Sequence, residues 1–132
     1  MRKIGTVLAM IVIGLGANLL AHHSFSTEYD GTKTFSVKGT VSKVEWTNPH
    51  VRFYVDVADA SGKVMTWNME LASPSALARN GWTSRTLKVG DQVAVEGYAA
   101  KVAPDRGNAR SVVTSDGRSL FGGAGDDNAP AK

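Results

Sequence analysis

From Phe35 onward the chain alternates apolar and polar residues in short runs, the two-residue period of β-strands. The first run, Phe35 to Trp46, carries Val37, Gly39 and Val41 on one parity and Val44 and Trp46 on the other. A change of parity within one strand predicts a bulge near Ser42-Lys43 that bends it sharply. Val51 to Val57 alternates without interruption, with Val51, Phe53, Val55 and Val57 on one face and Arg52, Tyr54 and Asp56 on the other. Ala60-Ser61-Gly62 then turns the chain into a third strand, Val64 to Leu71. There Met65, Trp67, Met69 and Leu71 oppose Thr66, Asn68 and Glu70.

The period changes after Leu71. Ser73-Pro74 is a cap followed by proline at the first helical position, and Asn80-Gly81 is a stop signal. Ala76, Leu77 and Ala78 lie between them, predicting a helix of about two turns. Leu87 to Asp91 turns into a fourth strand, Gln92 to Tyr98, with Val93 and Val95 inward. Ala109 to Ser115 is the fifth, and Asp116-Gly117 is a hairpin signal leading to Arg118 to Phe121. Three strands, a short helix and two more strands predict an all-β domain with one short helix. Its expected architecture is a five-stranded OB-like Greek-key β-barrel, the helix plugging its base. A small open sheet or sandwich is the alternative.

The ends read differently. Arg2 and Lys3 precede an uncharged apolar stretch from Val7 to Leu20, and Ala21 offers a small residue for cleavage. Residues 1–21 are therefore expected to be a secretory signal peptide. The apolar run is short for a transmembrane anchor and polar chain follows at once. The expected organisation is completed by a lead-in at 22–34, in which Phe25 and Tyr29 can pin it to the body. The barrel follows at 35–121 and a disordered tail of glycine, aspartate and alanine at 122–132. The mature protein is expected in the periplasm with no stable membrane anchor.

Composition narrows the function. The formal charge of +3 includes Arg2 and Lys3; without them 13 basic residues face 12 acidic ones. That near balance removes the long-range electrostatic case for nucleic acid as a partner. The absence of cysteine excludes disulfides, thiolate metal sites and cysteine nucleophiles.

Three segments carry a resemblance: His22-His23-Ser24-Phe25, Trp46-Thr47-Asn48-Pro49-His50 and Lys88-Val89-Gly90-Asp91. With these the chain resembles, over most of residues 21 to 121, a family of small exported bacterial proteins known only as a domain of unknown function. The resemblance implies export, one compact domain and a mature start at or beside His22. It implies no activity. More loosely, the strand order is similar to that of exported bacterial OB-fold proteins.

All three histidines, His22, His23 and His50, fall within the first two of those motifs. Cleavage after Ala21 would make His22 an amino terminus, able to chelate a metal through its amine and its ring. His50, at the mouth of the first hairpin, would supply a third nitrogen and complete a histidine brace. Nitrogen-only tetragonal coordination favours Cu(II). A second mode uses the amine, the backbone nitrogen of His23 and its ring, and the two modes compete. The plainer alternative is a solvated terminus, with His50 a turn residue bonded to a strand-end carbonyl.

Aromatic and polar side chains suggest another function. Trp46, Asn48, Arg52 and Tyr54 are candidate ligand-binding residues on the face of the second and third strands, the usual OB-fold ligand surface. On that reading the chain is a metal-independent module that docks a protein or small polar ligand. Phe53 and Trp67 have inward parity and belong to the core, and Trp82 is expected to close the base. The chain carries neither a Gly-x-Ser-x-Gly elbow nor a phosphate-cradling glycine loop. The carboxylates Glu45, Asp56, Glu70 and Glu96 lie on different strands, where spacing does not pair them. Binding rather than turnover is the expected activity.

Overall fold

The computed structural model describes residues 25–123. His22 and His23, the expected cleavage site and most of the expected tail lie outside the described residues. After a helical turn at 25–28 come β1 (Tyr29–Glu45), β2 (Arg52–Ala58), β3 (Val64–Glu70), α1 (Pro74–Arg79), β4 (Gln92–Ala100), β5 (Arg106–Thr114) and β6 (Ser119–Phe121). The strands pair in the order β3-β2-β1-β4-β5-β6, and a parallel pairing of β3 with β5 closes the first five into a ring. That is the five-stranded barrel expected from the strand order, with β6 appended to the outside of β5.

Long β1 belongs to both halves of the barrel, pairing with β4 through Thr34 to Thr40 and with β2 through Thr40 to Glu45. It can do so because it bends. Val41 faces Val55 and Lys43 faces Tyr54, so Ser42 is the extra residue of a bulge, where the parity switch predicts it. Gly39 lies just before the bend. A Cβ there would stand 2.2 Å from the Asp56 carbonyl oxygen and 2.8 Å from a Val55 methyl. A second bulge opposes Gly97, where a Cβ would fall 1.9 Å from the Asn108 carbonyl oxygen.

Val41, Phe53, Val55, Met69, Leu71, Val95, Ala109 and Val112 are fully buried in the core. Leu77 of α1 and Trp82 close its base. Ser73 caps α1 by accepting from the Ala76 N–H, and Asn80 ends it before Gly81 at φ +85°. The Trp82 indole N–H donates to the Phe121 carbonyl at 3.0 Å, tying the base to β6. Phe35 and Trp67 pack ring against ring at 5.1 Å.

β4 runs two residues longer than expected and β5 starts three residues earlier, and three further features differ from the sequence expectation. β1 begins at Tyr29 rather than Phe35, because Tyr29 pairs with Ala100 and Thr34 with Tyr98, extending the ladder to β4 across an irregularity between them. The polar stretch 30–34 lacks the apolar alternation by which a strand is read. Met65, expected inward, is exposed because the β2–β3 hairpin projects beyond the core. Gly122, expected in the tail, is buried and exchanges backbone hydrogen bonds with Arg110 and Ala72. Its missing side chain is what fits, since a Cβ would lie 2.5 Å from the Ala109 carbonyl oxygen.

Gly39→Ala should destabilise the fold by about 1–3 kcal/mol, the usual cost of an overpacked core position. Urea denaturation would measure it; an unchanged midpoint would contradict the close packing of β1 on β2.

Candidate functional site

Side chains at registered positions of neighbouring strands emerge on the same face. Arg52 of β2 pairs with Glu70 of β3, and Glu70 with Asn108 of β5, so the three form one row across the barrel. This row faces away from the core, yet Glu70 is only 6% exposed and Asn108 only 1%. The segment at 25–29 folds over it as a strap. Phe25 packs on Tyr29 at 5.6 Å and edge-on to Tyr98 at 5.8 Å. Lys101 donates its backbone N–H to the Glu28 carbonyl and its ammonium to the Ser26 carbonyl, and Arg106 pairs with Glu28 at 2.9 Å. Phe25 and Tyr29 thus pin the lead-in to the body.

A buried carboxylate must be satisfied by hydrogen bonds, and Glu70 has three donors among the described residues. Tyr29 Oη donates to Oε2 at 2.7 Å and Arg52 Nη2 to the same oxygen at 2.6 Å. His50 Nδ1 meets Oε1 at 2.7 Å. Burial alone would raise the Glu70 pKa, but the bonds from His50 and Tyr29 and the Arg52 charge outweigh it and hold the group below its ordinary 4.5. The carboxylate is therefore ionised and only accepts, which makes His50 Nδ1 the donor. In neutral His50 the available lone pair is then on Nε2, on a side chain 42% exposed. Burial, with the adjacent Glu70 charge, pushes the Tyr29 hydroxyl far above its usual range, so it remains a donor.

This cluster sits by the β1–β2 loop, residues 46–51, and the β4–β5 loop, residues 101–105, the two loops that frame ligand sites on OB-folds. The chain matches, over residues 9–109, a Family of unknown function (DUF6152). It belongs to that family. The uncharacterised family read from the motifs is therefore the right class of relative for this DUF6152 protein. No curated protein matches it in sequence. Among solved structures it is similar to the mitochondrial single-stranded DNA binding protein Rim1 from S. cerevisiae. That likeness has a TM-score of 0.50 at 12% identity and covers 63% of this chain and 93% of that one. At such low identity it supports the OB-like fold alone.

The expected site residues separate in this DUF6152 chain. His50 and Arg52 converge on Glu70. Trp46 packs against the core, and Asn48 is exposed beside a cis peptide bond to Pro49. Tyr54 is half-buried, donating to Glu45 at 3.1 Å with the Lys43 ammonium over its ring. On the same face Asp56 accepts from Thr66, and Arg52 donates to Asn68, so the polar stripe is bonded largely to itself. The His50 ring engages a carboxylate rather than a strand-end carbonyl. Among the described residues no three His, Asp or Glu side chains gather to hold an ion, and no helix is long and apolar enough to cross a membrane.

Glu70 is the residue that spacing missed. Its parity beside Arg52 was visible, but its partners Tyr29 and His50 lie 41 and 20 residues away.

The His50–Glu70 pair makes stability depend on pH. The Glu70 hydrogen bond raises the His50 pKa above 6.5, so its ionic contribution is full below the unfolded value and lost as pH rises through the folded one. Glu70, with its pKa lowered from 4.5, contributes above that value and loses its share as pH falls. The destabilisation caused by His50→Ala, followed by urea denaturation, should therefore be larger near pH 5.5 than near pH 8.5. A gap that widened on the alkaline side would contradict the pairing.

Proposed function

We propose that this is an exported periplasmic binding protein that captures Cu(II) with its mature amino terminus and His50. Residues 1–21 act as the signal peptide, and cleavage after Ala21 frees the His22 amine. That amine and the His22 ring chelate the ion, and His50 Nε2 is the third nitrogen. His23 offers the competing mode through its own backbone nitrogen and ring. Nitrogen donors in a tetragonal set favour Cu(II) over other divalent ions.

One observation carries this reading: the His50 ring and the strap are fastened to the same carboxylate. Metal-bound histidines commonly donate their second ring nitrogen to a carboxylate, which orients the ring and raises its basicity, and His50 already makes that bond. His22 lies three residues before Phe25, a span of up to about 10 Å when extended. The strap's own Tyr29 meets the carboxylate that holds His50, which supports bringing the terminus toward that ring. The ligand set lacks any carboxylate or thiolate, which suits copper better than magnesium, calcium or structural zinc. Binding displaces a proton from an amine of pKa about 7.7–8.0, so affinity rises with pH across that range.

The alternative, a module docking a partner on the β2–β3 face without metal, is less favoured. Arg52, Tyr54 and Asp56 already have hydrogen-bond partners within the fold.

A Cu(II) titration with electron paramagnetic resonance tests the reading, comparing protein that begins at His22 with protein carrying one extra alanine before it. The first should bind tightly with a nitrogen-rich spectrum, and the second should lose that site. His50→Ala should weaken the first and alter its spectrum. Equal binding by both forms would move the metal elsewhere, and binding by neither would overturn the copper reading.

A further inference from the structure

We infer that Glu70 is a positioning residue that holds His50 in its Nδ1–H tautomer with one oxygen and docks the N-terminal strap with the other. The consequence for metal affinity rests on the copper reading above; the hydrogen-bond arrangement does not.

The two oxygens have separate tasks. Oε2 takes the Tyr29 hydroxyl at 2.7 Å and the Arg52 guanidinium at 2.6 Å, while Oε1, among the described residues, takes His50 Nδ1 alone, at 2.7 Å. Tyr29 belongs to the strap and is 2% exposed, so its hydroxyl cannot exchange this partner for bulk water while the strap is down. His50 belongs to the first loop, 20 residues away in sequence from the carboxylate. Tyr29 opens β1, where it pairs with Ala100 of β4, whereas His50 lies in the loop that follows β1 and precedes β2. The carboxylate is thus a common anchor for the two ends of β1, the strap at its start and the loop that follows it.

An amide of the same shape cannot perform both tasks. A glutamine at this position has one accepting oxygen and one donating NH2. With the oxygen kept toward Tyr29 and Arg52, two strong donors, the NH2 faces His50 Nδ1. That nitrogen must then accept, and the ring proton moves to Nε2, the position a metal would need. The reverse orientation sets the NH2 against Tyr29 and the Arg52 guanidinium and leaves the strap without its acceptor.

The test begins without metal. Long-range 15N NMR of the His50 ring, at roughly pH 9 where an ordinary histidine is neutral, should show the Nδ1–H tautomer in the wild-type protein. Glu70→Gln should shift the ring to Nε2–H. Tyr29→Phe should keep the wild-type tautomer while speeding hydrogen exchange of the Lys101 amide, which is bonded to the Glu28 carbonyl. On the protein that begins at His22, Glu70→Gln should then lower Cu(II) affinity about 10–100-fold, the usual cost of losing such a partner. A wild-type ring in the Nε2–H form, or an unchanged tautomer in Glu70→Gln, would overturn the inference. If Glu70→Gln fails to fold, the wild-type tautomer and the Tyr29→Phe exchange rates still decide it. Wild-type protein that shows the Nδ1–H tautomer yet binds no copper would support the positioning role and overturn the copper reading alone.

Discussion

A carboxylate with almost no access to water needs partners, and the arrangement around Glu70 follows from that need. Leaving a buried charge without its counter-ion costs about 3–5 kcal/mol, comparable to much of the stability of a small domain. Glu70 avoids that cost by accepting from Tyr29, Arg52 and His50. Each donor comes from a different part of the chain, so one buried charge fixes the strap, the edge of β2 and the first loop together. The pair of Arg52 with Glu70 is set by strand register; the other two partners come from the first residue of β1 and from the loop that follows β1.

The barrel makes this possible by turning a short sequence into a closed frame. β1 bends at Ser42 and serves both halves of the ring, and the β3–β5 pairing places Glu70 beside Asn108. Glycines 39 and 97 let neighbouring backbones approach more closely than any side chain would allow. The result is a face near the β1–β2 and β4–β5 loops that the strap covers and His50 borders. An OB-like frame offers the same region to many unrelated ligands, and fold alone does not say which. The chemistry of the side chains there, one ring with its proton held by a carboxylate, is what the copper proposal rests on.

Much of this frame was legible in the alternation of residues. The interrupted parity of Val41 and Val44 located the bulge, and Ser73-Pro74 with Asn80-Gly81 delimited α1. Val51, Phe53 and Val55 announced a buried face because apolar alternation reports burial directly. The start of β1 was hidden because Asp30 to Thr34 are polar on both faces, and ladder pairing leaves no trace in hydrophobicity. Of the candidate site, the histidine motif picked out His50 and strand parity picked out Arg52. The role of Glu70 stayed hidden because it depends on where a strap 41 residues upstream comes to rest. Trp46 illustrates the reverse case: an aromatic at a loop mouth reads as a ligand platform, but here its ring covers the core.

The central claim is that the strap and the first loop are coupled through one carboxylate, and a double-mutant cycle measures that coupling most directly. Urea unfolding of wild type, Tyr29→Phe, His50→Ala and the double variant would supply its four corners. If Glu70 links the two segments, the effects should be non-additive by about 0.5–3 kcal/mol, because each donor's loss changes what the shared acceptor offers the other. Additivity within about 0.3–0.5 kcal/mol would mean that the strap and His50 are held independently, and would contradict the account.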